Sequence, residues 1–124
     1  MAAPNIVNVT TIIGNNSLTN VSTTSAFTIV NNAASSNKVY KVNSIIVSNK
    51  DGTNPFAATI NVYDQDDLGG NAYSIISTVD VPADASVVVI DKSTSIYLRE
   101  DQSIGAIANV ANKLFVIASW EEIS

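Results

Sequence analysis

The chain has 124 residues, 46% apolar and 14% charged, with eleven carboxylates against six basic side chains and a formal net charge of −5. This balance excludes a nucleic-acid binder, which needs a basic footprint, and docking on anionic lipid. Cys and His are both absent, which removes disulfides, thiolate metal sites, the usual general base near neutral pH and the commonest metal ligand.

No charged side chain occurs before Lys38. Residues 1–5 read as a loose end, and MAAPNIVNV has neither the basic start nor the long apolar centre of a secretory signal. The N-x-S/T triplets at Asn8, Asn15 and Asn20 therefore read as accidents of an Asn- and Thr-rich stretch. β-branched residues predict a strand over Ile6–Ile13, Gly14–Asn16 a turn, and residues 21–30 a second extended segment. Asn31–Asn37 is a small polar loop. Val39–Ser48 is the clearest strand; Asp51-Gly52 signals a hairpin turn, and Ala57–Asp64 is its return strand, with Ile60 and Val62 on one face and Thr59, Asn61 and Tyr63 on the other. The loop QDDLGGN follows, then strands over Tyr73–Val81, Val87–Ile90, Ser95–Leu98, Ile104–Ala108 and Lys113–Trp120. Apolar runs such as Val87–Ile90 are far short of the roughly 20 residues of a membrane helix, so no membrane partner is expected.

Eight or nine short, mostly antiparallel strands separated by turn residues predict an all-β fold, a jelly-roll-like β-sandwich. It is one domain, organised as an uncharged N-terminal arm with the first strands (1–37) and a sandwich body (38–124). A neutral segment loses little by lying against protein instead of water, so residues 1–37 are expected to pack on a partner or a neighbouring subunit.

Asp64, Asp66 and Asp67 before Gly69-Gly70 resemble the start of a calcium loop. The twelfth position, which should hold a bidentate Glu, is Ile75, and the flanks are strands; a solvated acidic turn is the competing reading. Glu121 and Glu122 point opposite ways on a strand, and Asp91, Glu100 and Asp101 lie in turns where water keeps carboxylates ionised, unlike a glycosidase pair. Without His or Cys the familiar activated nucleophiles are missing, so no catalytic residue, enzyme activity or cofactor is expected. Tyr63 and Tyr97 have the parity opposite to the buried faces of their strands. Trp120 reads as a core residue. Phe115 and Ile117 oppose Leu114, Val116 and Trp120, so that strand is apolar on both faces and calls for two layers of cover. The interface candidates are Ile6, Val7, Val9, Ile12, Phe27, Tyr63, Tyr97, Phe115 and Ile117.

Four stretches, IVNVTTIIG, KVYKVNSIIVSNKDGTNPFAATINVYD, STVDVPADASVVVIDKSTSIYLREDQSI and SWEEIS, together cover most of the chain. In them it resembles small structural proteins of tailed phages, particularly marine and cyanobacterial ones. The resemblance implies a β-sandwich on the virion: a capsid decoration or cement protein, or a neck, tail or fibre accessory. It implies the major capsid protein or other virion proteins as partners, a symmetric oligomer or many copies per particle, and the host cytoplasm as the site of assembly. It carries over no catalytic residue. A carbohydrate-binding module, with Tyr63, Tyr97 and Trp120 as an aromatic platform, is the alternative from another class.

Overall fold

Nine strands form among residues 9–124, which are the residues described by the computed structural model. They are β1 (Ile12–Asn20), β2 (Phe27–Asn32), β3 (Val39–Asn49), β4 (Phe56–Tyr63), β5 (Ala72–Val81), β6 (Ser86–Ile90), β7 (Ile96–Leu98), β8 (Gln102–Ala108) and β9 (Leu114–Ile123). A single 3-10 turn, Lys92–Thr94, joins β6 to β7; the Asp91 carboxylate caps it by accepting the N–H groups of Ser93 and Thr94. Ile6, Val7 and Asn8, the first three residues of the strand expected over Ile6–Ile13, lie outside the described residues; of the rest, only Ile12 and Ile13 belong to a strand, β1.

The strands make two antiparallel sheets. The first has the order β1-β9-β3-β6, with β7 also paired to β3; the second has the order β2-β8-β4-β5. The chain winds between them as in a jelly roll, and the expected all-β sandwich is the fold observed. Alternation decides which side chains meet between the layers. Val42, Ile45 and Val47 of β3 and Val116, Ala118 and Trp120 of β9 face Ile60 of β4 and Ile104 of β8 across one core, with Ile90 and Leu98 beside them. The Trp120 ring stacks on Tyr40, centroids 6.0 Å apart.

Two local expectations are corrected. Gly14, Asn15 and Asn16 do not turn; they lie inside β1, opposite Glu121, Trp120 and Ser119 of β9. Pairing along all nine residues of β1 overrides the turn preference of three polar ones, and at a sheet edge their side chains stay in water. Asp51-Gly52 is not a hairpin tip, because β3 and β4 belong to different sheets. Gly52 is not left-handed. Instead Asp51 Oδ1 accepts the N–H groups of Thr53 and Asn54, and buried Asn49 donates to the carbonyls of Asn54 and Val81, so the loop bridges the gap between layers. The hairpin of this region is β4–β5.

At the other end Asn32 plays the same part. It is fully buried and donates to the carbonyls of Lys38 and Leu98 while accepting from Ser36. The uncharged stretch from Ile12 onward is thus built into both sheets: β1 pairs with β9 and β2 with β8.

Candidate functional site

The outer face of the first sheet carries large exposed apolar side chains. In β9 the outward parity belongs to Phe115, Ile117, Ser119 and Glu121. Register places Leu18 beside Ile117, Ile117 beside Ile46, and Ile46 beside Val88. An unbroken apolar row therefore crosses all four strands, β1, β9, β3 and β6. Leu18 is 73% exposed, Val88 58% and Ile117 40%, whereas an ordinary two-layer sandwich turns polar side chains outward. Phe115 lies next to the row with the Lys50 ammonium 5.1 Å from its ring centroid. Beyond the other side Lys41 stands opposite both Glu121 and Tyr97, so Tyr97, 51% exposed, borders the same face. A groove of about 340 Å³ opens here between Leu18, Thr19, Asn20, Phe115 and Ile117.

β1 forms one edge of this sheet. Among the described residues nothing pairs with its far side, and no charge, proline or bulge interrupts its nine residues, the usual devices that blunt an edge. Its tie to the body is partly electrostatic. Glu122 accepts hydrogen bonds from Asn15 of β1 at 2.9 Å, Trp120 Nε1 at 3.2 Å and Lys38 at 3.3 Å. Burial alone would raise the Glu122 pKa; the three donors and the Lys38 charge outweigh it and hold the carboxyl below its ordinary 4.5. A depressed acid stabilises the fold above its ordinary pKa and loses that contribution as the pH falls through its native value. The wild type is therefore expected to lose more melting temperature than Glu122→Gln on acidification below about pH 4.5. Parallel curves for the two proteins would contradict the network.

Other candidate residues fall elsewhere. Tyr63 does have the outward parity of the second sheet, but it is buried, 8% exposed, under the loop that follows it. Leu68 and Tyr63 close over Gly105: a Cβ there would lie 2.7 Å from Leu68 Cδ2 and 3.1 Å from the Tyr63 ring. Tyr63 is thus covered by its own chain, not by a neighbour. Gly105→Val is expected to lift the loop, costing about 1–3 kcal/mol of overpacking and opening residues 64–71 to protease before global unfolding; an equally resistant loop would count against this packing. Phe27 is half-buried against the core, Val9 is half-buried and Ile12 is 56% exposed. Trp120 is buried. With Tyr63 and Trp120 buried and Tyr97 51% exposed, these three form no aromatic platform.

The acidic loop does not converge on a point. Asp64 accepts the Asn71 N–H, Asp66 the Ala34 N–H and Asp67 the Asn31 amide, and among the described residues no cluster of three or more acidic groups could hold a metal ion. Ser103 joins this loop to β8 by donating to the Gln65 carbonyl and accepting from Leu68 N–H. Asp91 is occupied as a cap, Asp101 accepts the Asp66 N–H, and Glu121 and Glu122 point to opposite faces. Glu100, expected in a wet turn, is instead 3% exposed and accepts the Asn37 N–H at 2.7 Å; it holds a residue whose φ is +57°. Sequence reasoning missed Leu18, Ile46 and Val88.

No family model matches this chain, and no curated protein matches it. Among solved structures it is similar to a chain of the Bacillus endospore appendages, which form a novel family of disulfide-linked pili. The TM-score is 0.53 and the identity 18%, over 92% of this chain and 88% of that one. At that identity the likeness is one of fold. This chain has no cysteine.

Proposed function

We propose that this chain is a non-enzymatic structural protein that works by burying the outer face of its first sheet against other protein, and that its place is on a virion shell as a decoration or cement protein. The apolar row Leu18–Ile117–Ile46–Val88 carries the reading. Burying an exposed Leu, Ile or Val contributes about 1.5–3 kcal/mol, and four such side chains aligned on a rigid sheet form a ready-made interface core. The acidic loop and the Asp91 cap lie outside the row and keep the particle surface hydrated. Binding the assembled shell better than the free subunit would stabilise the shell by mass action.

A repeating subunit of a fibre or appendage is the second reading. It is favoured by the two edges of the first sheet, β1 and β6, which lie on opposite sides of one apolar face and suit head-to-tail contact. A density map of the assembly that contains this chain tests both. The row should be covered, by shell protein in the first case and by a copy of the chain in the second. A map with Leu18, Ile117, Ile46 and Val88 facing solvent would end the proposal.

A further inference from the structure

The hydrogen bonds at the two ends of β1 fix which of its backbone groups lie on the sheet edge. Thr11 and Ser124 exchange both of their bonds, and Val21 N–H donates to the Leu114 carbonyl. Bonding residues alternate along an antiparallel ladder, so the odd-numbered residues of β1 bond β9. Ile12, Gly14, Asn16, Leu18 and Asn20 turn their N–H and C=O groups away from it. The Asn16 N–H accordingly goes to the Asn15 Oδ1, 2.8 Å away. Large apolar side chains also stand exposed on this strand: Leu18 at 73%, Ile12 at 56% and Ile13 at 54%.

The other sheet edges among the described residues are blunted. β2 has a register shift between Thr28 and Val30. β5 has two shifts against β4, carries Asp80 and contains Thr78 at φ +52°. β6 has five residues. β1 pairs with β9 over nine residues without a shift. Among these edges, the one uncharged, regular counter-strand of equal length is therefore β1 itself. Neither Thr10 nor Thr11 has a positive φ. A two-residue type I′ turn at Val9-Thr10 or Thr10-Thr11, which needs positive φ at both positions, thus does not fold the chain's own start back along β1.

We infer that β1 pairs antiparallel with β1 of a second copy about a twofold axis, joining the two first sheets into one. The register that uses all nine residues centres the axis on Asn16. Even residues then meet even ones: Ile12 the partner's Asn20, Gly14 the partner's Leu18, Asn16 its own mate. These pairs exchange about ten hydrogen bonds. Each Leu18 lies beside the partner's Gly14, where a Cβ would have nothing within 4 Å, so the leucine has room to pack. The two Asn16 carboxamides stand side by side on the axis. β1 holds no charge, so none is set against its like. The contact is isologous and closed, and both outer faces point the same way, which lets the pair offer two apolar rows to one surface. The inference goes beyond the reading of that face and does not depend on it.

Full-length protein tests the pairing. Sedimentation should show a monomer–dimer equilibrium, and hydrogen exchange at the Gly14 and Leu18 amides should be slow in the dimer and fast in the monomer. Asn16→Pro deletes both central hydrogen bonds yet spares the β9 ladder, because that N–H points away from it. Its dimer should weaken at least about thirtyfold while melting of the dilute monomer is unchanged. Asn16→Ala keeps the N–H and should dimerise like the wild type. So should Ile117→Lys, which spoils the outer face and leaves the edge intact, so that the two readings fail separately. A wild type that stays monomeric at its highest soluble concentration, an undiminished Asn16→Pro dimer, or a dimer whose Gly14 and Leu18 amides still exchange fast would overturn the pairing. A monomer with those amides protected would overturn it too, since the chain's own leading residues would then cover the edge. If Asn16→Pro does not fold, exchange in the wild type decides alone.

Discussion

If the outer row is the covered surface proposed above, Ile117→Lys abolishes incorporation of the chain into the assembly while leaving its melting temperature within a few degrees of the wild type's. Ile117 sits between Leu18 and Ile46 at the middle of the outer row and is 40% exposed in the free chain, where a lysine can lay its stem along the sheet and keep its ammonium in water. Once the row is covered, the ammonium has neither water nor a carboxylate in the row. An uncompensated charge of this kind costs several kcal/mol; at about 3 kcal/mol the affinity falls more than a hundredfold. Copy number of the variant per purified assembly, measured against the wild type, reads the effect. Normal incorporation would remove the apolar row from the mechanism.

The largest loss of fold stability is expected from Trp120→Ala, about 3–5 kcal/mol out of the 5–15 kcal/mol available to a typical domain. Trp120 lies on β9 between Asn15 of β1 and Val42 of β3. Its ring closes one end of the core on Tyr40, and its Nε1 donates to Glu122. Alanine removes the ring, the stack and one of three donors to a half-enclosed carboxylate together. Trp120→Phe separates these effects: a ring remains against Tyr40 while the donor is lost, so about 1–2 kcal/mol is expected. Urea unfolding gives both numbers, and a loss below about 1 kcal/mol for the alanine variant would mean that the site collapses around the gap.

The strands of the body were readable because a half-buried strand writes its face into every second residue. The parity of β9 separates Leu114, Val116 and Trp120 from Phe115 and Ile117, and both faces are where that parity places them. What parity cannot provide is register between distant strands. Leu18 meets Ile117 across nearly a hundred residues of sequence, and Ile46 meets Val88 only because a bulge near Ile45 shifts the β3–β6 pairing; the apolar row exists only once those registers are set. The cover of Tyr63 was hidden for a similar reason. It depends on a loop with left-handed Asp67 and Leu68, at φ +53° and +60°, which is closed by Asn31 and Ser103 from other strands. Asp51-Gly52 misled because its local signal is the same whether a chain turns back beside itself or crosses to the opposite layer.

The hydrogen bonds that join Thr10 and Thr11 to Ser124 bring the two ends of the described chain to one corner of the sandwich. A passenger protein attached after Ser124 would leave from that corner, the length of β1 away from Leu18. A short linker across it would close the backbone into a circle, and new ends could then be cut in a surface turn such as residues 109–113 without breaking a strand pair.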